Sequence, residues 1–317
     1  MGELDDLRDE WTQLAKASRN VFSSWEWAAT WWRHFGRGRE LCVLPGPDLL
    51  LPLYAWRTTP LRILRLLGHG PGDELGPVCA PDRRGLGAAA LAAALQDDGC
   101  DLFLGDELPA ATAWPGRIVE RTASPVARLA GSWDDFLAAR SSNFRQQIRR
   151  RERALRRDHR VRFRLTERAS LDQDLTTLFA LHRARWGASP WFAPLEPFHR
   201  EFAAVALGLG WLRLWILELD DAPAAAWLGY RFAGVESYYQ AGRDPAHGRV
   251  TAGFVLLAHT IREALLDGME EYRFLRGDEP YKYRFADSDP GLVTVGWARG
   301  LRGRSALALR RLRRRLP

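Results

Sequence analysis

Residues 272–285 read YRFLRGDEPYKYRF. Tyr272 and Phe274 alternate as in a half-buried strand, and Gly277 breaks the pattern. A dense polar cluster follows: Arg276, Asp278, Glu279, Tyr281, Lys282, Tyr283 and Arg284. The chain has 46 basic residues, yet only Lys16 and Lys282 are lysines. A flexible ammonium with a movable pKa does work that a rigid guanidinium does not. One of two lysines, set between two tyrosines and just after two carboxylates, marks a place for chemistry. The plain alternative is a charged loop capping a sheet edge.

Working back from that strand, Val250 to Leu266 carries a helical pattern that Gly268 ends. Before it, three strands are expected at 211–219, 224–232 and 235–242. They are turned by Asp220-Asp221-Ala222-Pro223 and by Ala233-Gly234. Leu175 to Trp186 reads as a helix with Leu178, Phe179, His182 and Trp186 along one side. Ser132 and Asp135 form a capping box that opens a long helix with the thin apolar stripe Phe136, Phe144, Ile148 and Leu155. Val161, Phe163 and Leu165 then begin a strand. Toward the N-terminus, 22–35 reads as a helix capped by Ser23 or Ser24. Residues 41–44 and 49–56 read as a hairpin, Gly87 to Leu95 as a helix and Asp101 to Leu104 as a short strand.

Composition narrows the class. A chain of 317 residues with 46% hydrophobic content supports about two domains with real cores. Cys42, Cys79 and Cys100 are widely spaced, so neither a disulfide framework nor a zinc site is expected, and no metal is. The acidic opening MGELDDLRDEW does not read as a secretory signal, and Asp6 stands where a myristoylation signal needs Ser or Thr. No apolar run approaches the roughly 18 residues that span a bilayer, so a cytoplasmic protein is expected.

The net charge of +7 is unevenly placed. Arg140 to Arg168 holds 12 arginines against three acids, and Leu301 to Pro317 holds seven arginines and none. Ten arginines in the twenty residues from Arg145 to Arg164 suggest an anionic partner: tRNA, a membrane surface or an acidic sugar polymer. The tail sets Leu309, Leu312 and Leu316 among arginines, a basic amphipathic pattern that suits a membrane surface.

The element order resembles the GCN5-related acyltransferase fold. More narrowly, the chain is similar to the CelD-like acetyltransferases, which are related to the FemAB-type aminoacyl transferases. The resemblance rests on SSWEWAATWWRHFG (23–36), LLGHGPGDELGPV (66–78), Asn143-x-Arg145, LHRARW (181–186) and, most specifically, FLRGDEPYKYRF (274–285). It implies an α+β fold of tandem acyltransferase-like halves, each a mixed, mostly antiparallel sheet flanked by helices. The expected division is a degenerate half over 1–128, an Arg-rich linking helix and first strand over 129–168, the acyltransferase domain over 169–290 and the basic tail over 291–317.

The resemblance also implies an acyl-CoA donor, held where members of the wider fold carry R/Q-x-x-G-x-G/A before a helix. Here Arg249-Val-Thr-Ala-Gly-Phe occupies that place, so Arg249, Thr251, Ala252 and Gly253 are the donor-binding candidates. Asp278 or Glu279 is the candidate general base, with Glu236 behind them. Tyr281 can protonate a leaving group, and Lys282 can stabilise an oxyanion. His182 is a catalytic candidate or a core histidine. Arg276, Trp186, Tyr239 and Arg185 are substrate-binding candidates, with one of Tyr238 and Tyr239 facing the cleft. The function expected is transfer of an acyl group, acetyl the simplest, to an amine or hydroxyl of a small metabolite or sugar. The alternatives are aminoacyl transfer from tRNA and a non-catalytic scaffold.

Overall fold

A computed structural model describes residues 2–58, 60–97, 99–187, 192–247 and 251–313. The chain runs α1 (Gly2–Asp6), α2 (Arg8–Ser18), α3 (Trp25–Phe35), β1 (Arg39–Gly46), β2 (Leu49–Thr58), β3 (Leu61–Leu66), α4 (Arg84–Asp97), β4 (Leu102–Pro109) and β5 (Arg117–Thr122). It continues with β6 (Val126–Arg128), α5 (Trp133–Ala138), α6 (Ser142–Asp158), β7 (Val161–Leu165), α7 (Leu171–Trp186) and α8 (Glu196–Gly208). Then come β8 (Leu212–Leu219), β9 (Ala222–Phe232), β10 (Val235–Arg243), α9 (Thr251–Leu266), β11 (Glu271–Arg273), β12 (Leu292–Ala298) and α10 (Gly300–Arg313).

Two compact units result, Met1–Ser124 with Pro290–Pro317, and Pro125–Asp289. Each is built on a six-stranded mixed sheet, antiparallel except at β3–β4 and β10–β11. The order is β1-β2-β3-β4-β12-β5 in the first and β6-β11-β10-β9-β8-β7 in the second. The fold is α+β in two tandem halves. The stretches expected as a linking segment (129–168) and an acyltransferase domain (169–290) fall in one unit but for Pro290. The stretch expected as a basic tail (291–317) lies in the other, because β12 pairs with β4 and β5 there.

Ser24 accepts from Trp27 N at 3.2 Å and starts α3, whose Trp27 and Trp31 are buried. The capping box at Ser132 forms as its residue types demand. The long helix expected from it does not: the chain stops at Ala138 and restarts at Ser142, where Ser141 accepts from Phe144 N. Arg140, in the break, donates to Asp287 Oδ1 at 2.6 Å and to the Phe285 carbonyl, so tertiary contacts fix the interruption. The stripe Phe144, Ile148 and Leu155 is buried in a core shared with α9 and with Trp227 of β9. The opposite face of that sheet packs on α7 and α8: Tyr230, three residues on from Trp227, meets Phe202 ring to ring at 5.2 Å.

Candidate active site

Strand β10 carries an irregularity that sorts its side chains. Tyr238 pairs with Gly229 and Gln240 with Leu228, which leaves Tyr239 as the extra residue of a β-bulge. Tyr238 lies on the α9 side, its ring 5.7 Å from Trp227. Tyr239 turns to the other face, 5.5 Å from His199 and 5.7 Å from Tyr230. Past the bulge, β10 runs flush against α7. A methyl group on Gly242 would sit 2.4 Å from His182 N, so only glycine allows that approach.

A cavity of about 290 Å³ opens at this end of β10. Trp227, Ala226, Ala241, Leu256 and Leu257 give it apolar walls, and Gly253 and Phe254 bring in the first turn of α9. The first four amides of a helix have no partner within it, and the helix dipole adds positive potential there. Arg185 and Arg243 line the same cavity, and Arg151 stacks 4.5 Å from the Phe254 ring. No carboxylate lines it among the described residues. The buried indole N–H of Trp227 has no hydrogen-bond partner among the described residues.

Tyr281 closes the cavity, and its hydroxyl donates to that of Tyr238 at 3.5 Å. Burial raises the pKa of Tyr281, and the neighbouring Tyr238 raises it further. Both effects keep the phenol protonated. The loop beneath is held by Lys282, whose side chain is 4% exposed. Its ammonium donates to the Arg276 carbonyl at 2.6 Å, reaches the Gly277 and Leu275 carbonyls at 3.4 and 3.5 Å, and pairs with Glu279 at 2.9 Å. The ammonium thus occupies a cage of its own loop's carbonyls.

An apolar cavity facing a helix N-terminus, with a protonated tyrosine and two guanidinium groups at its wall, suits an anionic ligand with an apolar part. Residues 142–283 match the acetyltransferase (GNAT) domain family. Solved structures extend the likeness to both halves. FemX superposes with a TM-score of 0.67 at 8% identity, covering 96% of this chain and 98% of its own. A conserved protein of unknown function from Bacteroides thetaiotaomicron VPI-5482 gives 0.62 at 13%, with 92% and 96% covered. L-PGS from Bacillus licheniformis gives 0.58 at 11%, with 98% and 96% covered. At these identities the likeness is one of fold. No curated protein matches the sequence itself.

Within this GNAT-like unit the structure brings some expected residues together and separates others. Tyr281, Arg185 and Gly253 line the cavity, and Thr251 and Ala252 share the first turn of α9 with Gly253. Arg249 lies outside the described residues. Glu279 is tied to Lys282, while Asp278 and Arg276 are exposed. Trp186 is exposed, with the Arg185 guanidinium 4.3 Å from its ring. Tyr239, expected on substrate, lies on the far face, as strand alternation requires once Tyr238 faces the cavity. Glu236 is fully buried in an ion pair with Arg231 at 2.7 Å. Sequence reasoning missed Arg243 and Trp227, and named Arg151 only as one of the ten arginines of 145–164. Arg243 offered one signal, its place as the last residue of the strand before Asp244-Pro245.

His182 is buried, its ring tilted against that of Phe192 at 4.6 Å. Burial and the charges of Arg185 and Arg183 push its pKa down to about 4, against a smaller upward pull from Gln240. His259, between Phe163 and Trp215, is pushed down to about 3 by burial, Arg262 and Arg156. In the unfolded chain both rings titrate near ~6.5. The unfolded state therefore takes up protons first, and stability is complete above that pH and declines as pH falls toward 4. At about pH 5 His259 alone costs about 2 kcal/mol, and His182 acts in the same direction. Melting followed from neutral pH to about pH 5 will show the loss, and His259→Phe will flatten the curve.

Proposed function

We propose that residues 125–289 transfer an acyl group, acetyl the simplest, from a thioester donor of the acyl-CoA type to an amine or hydroxyl of a small metabolite or sugar. The observation that carries this reading is the cavity where Tyr281 and Tyr238 face the first turn of α9 between Arg185 and Arg243. In this reading the amides of Thr251 to Phe254 and the two guanidinium groups hold the donor's phosphates. Trp227 and the leucines of α9 receive its apolar part. Attack is direct, without a covalent enzyme intermediate, since no serine, threonine or cysteine lines the cavity among the described residues. Tyr281 protonates the departing thiolate. Glu279, the carboxylate on the same loop, takes the acceptor's proton through water, with Asp278 beside it. Lys282 positions that loop. The narrower CelD-like reading rests on the motifs quoted above.

One observation favours a second reading, aminoacyl transfer from tRNA. Arg149, Arg150, Arg153 and Arg157 stand exposed on α6, in a chain that resembles the FemAB-type transferases. The two readings separate in one experiment, in which melting is followed with acyl-CoA thioesters and with charged tRNA. A donor present at about a hundred times its Kd stabilises the folded state by about 2.7 kcal/mol. Acyl-CoA is expected to raise the melting temperature, and Arg243→Ala to abolish the rise. Stabilisation by tRNA alone, declining steeply with salt, hands the site to the second reading. No response to either ligand removes both.

A further inference from the structure

Helix α10 presents two faces, and the fold uses one. Gly303 and Leu307, one turn apart, pack on the sheet of the first unit. A methyl on Gly303 would lie 2.1 Å from the Asp101 carbonyl oxygen, and Leu307 meets Gly296 of β12. The opposite face holds Leu301 and Leu309, eight residues apart and therefore on one stripe, 83% and 62% exposed. Leu301 is the most exposed large apolar side chain described in the molecule. Arg302 and Arg304, both exposed, flank the stripe on either side. Beside the helix runs an open groove of about 610 Å³, walled by Trp297 and Leu307 and edged by Arg117 and Arg304. Residues 301–317 hold seven arginines and no acid.

We propose that this face of α10 docks the protein on an anionic lipid bilayer. A leucine stripe bordered by guanidinium groups matches the boundary between acyl chains and negatively charged headgroups. The leucines enter the apolar layer, while Arg302 and Arg304 stay at headgroup level and bind lipid phosphates in the fork geometry that arginine offers. The groove extends the same surface and gives Arg117 a phosphate within reach. A water-soluble anion would satisfy the arginines and leave the leucines exposed, and an apolar protein partner would leave the arginines unmatched. The bilayer accounts for both. No helix among the described residues is long and apolar enough to cross a membrane, so the contact is with its surface.

The test is sedimentation of the full chain with vesicles of phosphatidylglycerol and phosphatidylcholine in equal parts, against phosphatidylcholine alone, at about 50 mM salt. Binding to the anionic vesicles is expected to be tighter by about tenfold or more, and to weaken as salt rises. Leu301→Gln combined with Leu309→Gln is expected to lower it about tenfold with little change in melting temperature, because those side chains are largely exposed. Arg302→Gln with Arg304→Gln is expected to reduce the salt dependence. Equal binding by the leucine variant overturns the proposal. So does binding lost through Arg149→Gln with Arg153→Gln and not through the leucines, which would place the contact on α6. A dimer in solution that dissociates on the leucine change, with no vesicle binding, would make a second copy the occupant.

Discussion

Tyr281→Phe is expected to lower kcat about a hundredfold, with little change in the KM for the donor. The expectation follows from the position of one oxygen. The Tyr281 hydroxyl sits in the cavity wall against that of Tyr238, and burial with this neighbour holds its proton far above the pH of any assay. A phenol that stays protonated has a proton to offer a departing thiolate and cannot act as a base. The ring fills the same space in the phenylalanine variant, so the donor still binds and the loss lies in the chemical step. The raised pKa adds a signature of sign: the wild-type rate will show no fall from loss of this proton up to about pH 10, the ordinary value for tyrosine. Tyr238→Phe removes only the partner hydroxyl and is expected to cost less. Full activity in the Tyr281→Phe protein would take the proton-donor role away from this residue. A raised KM with unchanged kcat would make it a binding group.

Lys282→Met is expected to destabilise the second unit by about 3 kcal/mol, a fall of roughly 6–12 °C in its melting temperature. The methionine side chain fills the volume, but three carbonyls (Leu275, Arg276 and Gly277) lose their shared donor, and Glu279 loses its counter-ion. The loop cannot relax easily around the change. Leu275 and Gly277 both hold positive φ, and a methyl on Gly277 would already lie 2.8 Å from the ammonium. Arginine is not expected to rescue the fold, because its planar fork does not fit a cage built for a point charge. Thermal denaturation read beside turnover decides the role. A variant that melts like the wild type and fails to turn over would make Lys282 a catalytic group, and one that melts early makes it the frame on which Tyr281 stands.

The lysine shows how far one-dimensional reading reaches. Its rarity and its setting between two tyrosines drew attention to this loop, and Tyr281 of that loop lines the cavity. An extended stretch would put Tyr281 and Tyr283 on opposite sides, but the chain forms a 3-10 turn at Lys282–Arg284. The two rings still part: Tyr281 packs inward, while Tyr283 is exposed and bonds Asp289 at 2.6 Å. Arg185 was legible from LHRARW, but Arg243 was not, since a strand's last residue acquires a neighbour only when a helix start is folded beside it. Glu236 read as a base candidate because period-two alternation names two faces without saying which is wet.

Local chemistry by itself determined the hairpin β8–β9–β10, the caps at Ser24 and Ser132, the apolar stripe of the arginine helix and the two basic segments. Each depends on residues within a few positions of one another, where side-chain period and cap hydrogen bonds act. Tertiary structure alone decided that β12 joins the sheet of the first half, that the helix opened at Ser132 breaks at Arg140, that Tyr238 and not Tyr239 faces the cavity, and that Lys282 is enclosed. These turn on which distant segments meet. Strand partners and burial are settled by packing over the whole chain, because the same apolar or charged residue is stabilised differently by each neighbour it could acquire.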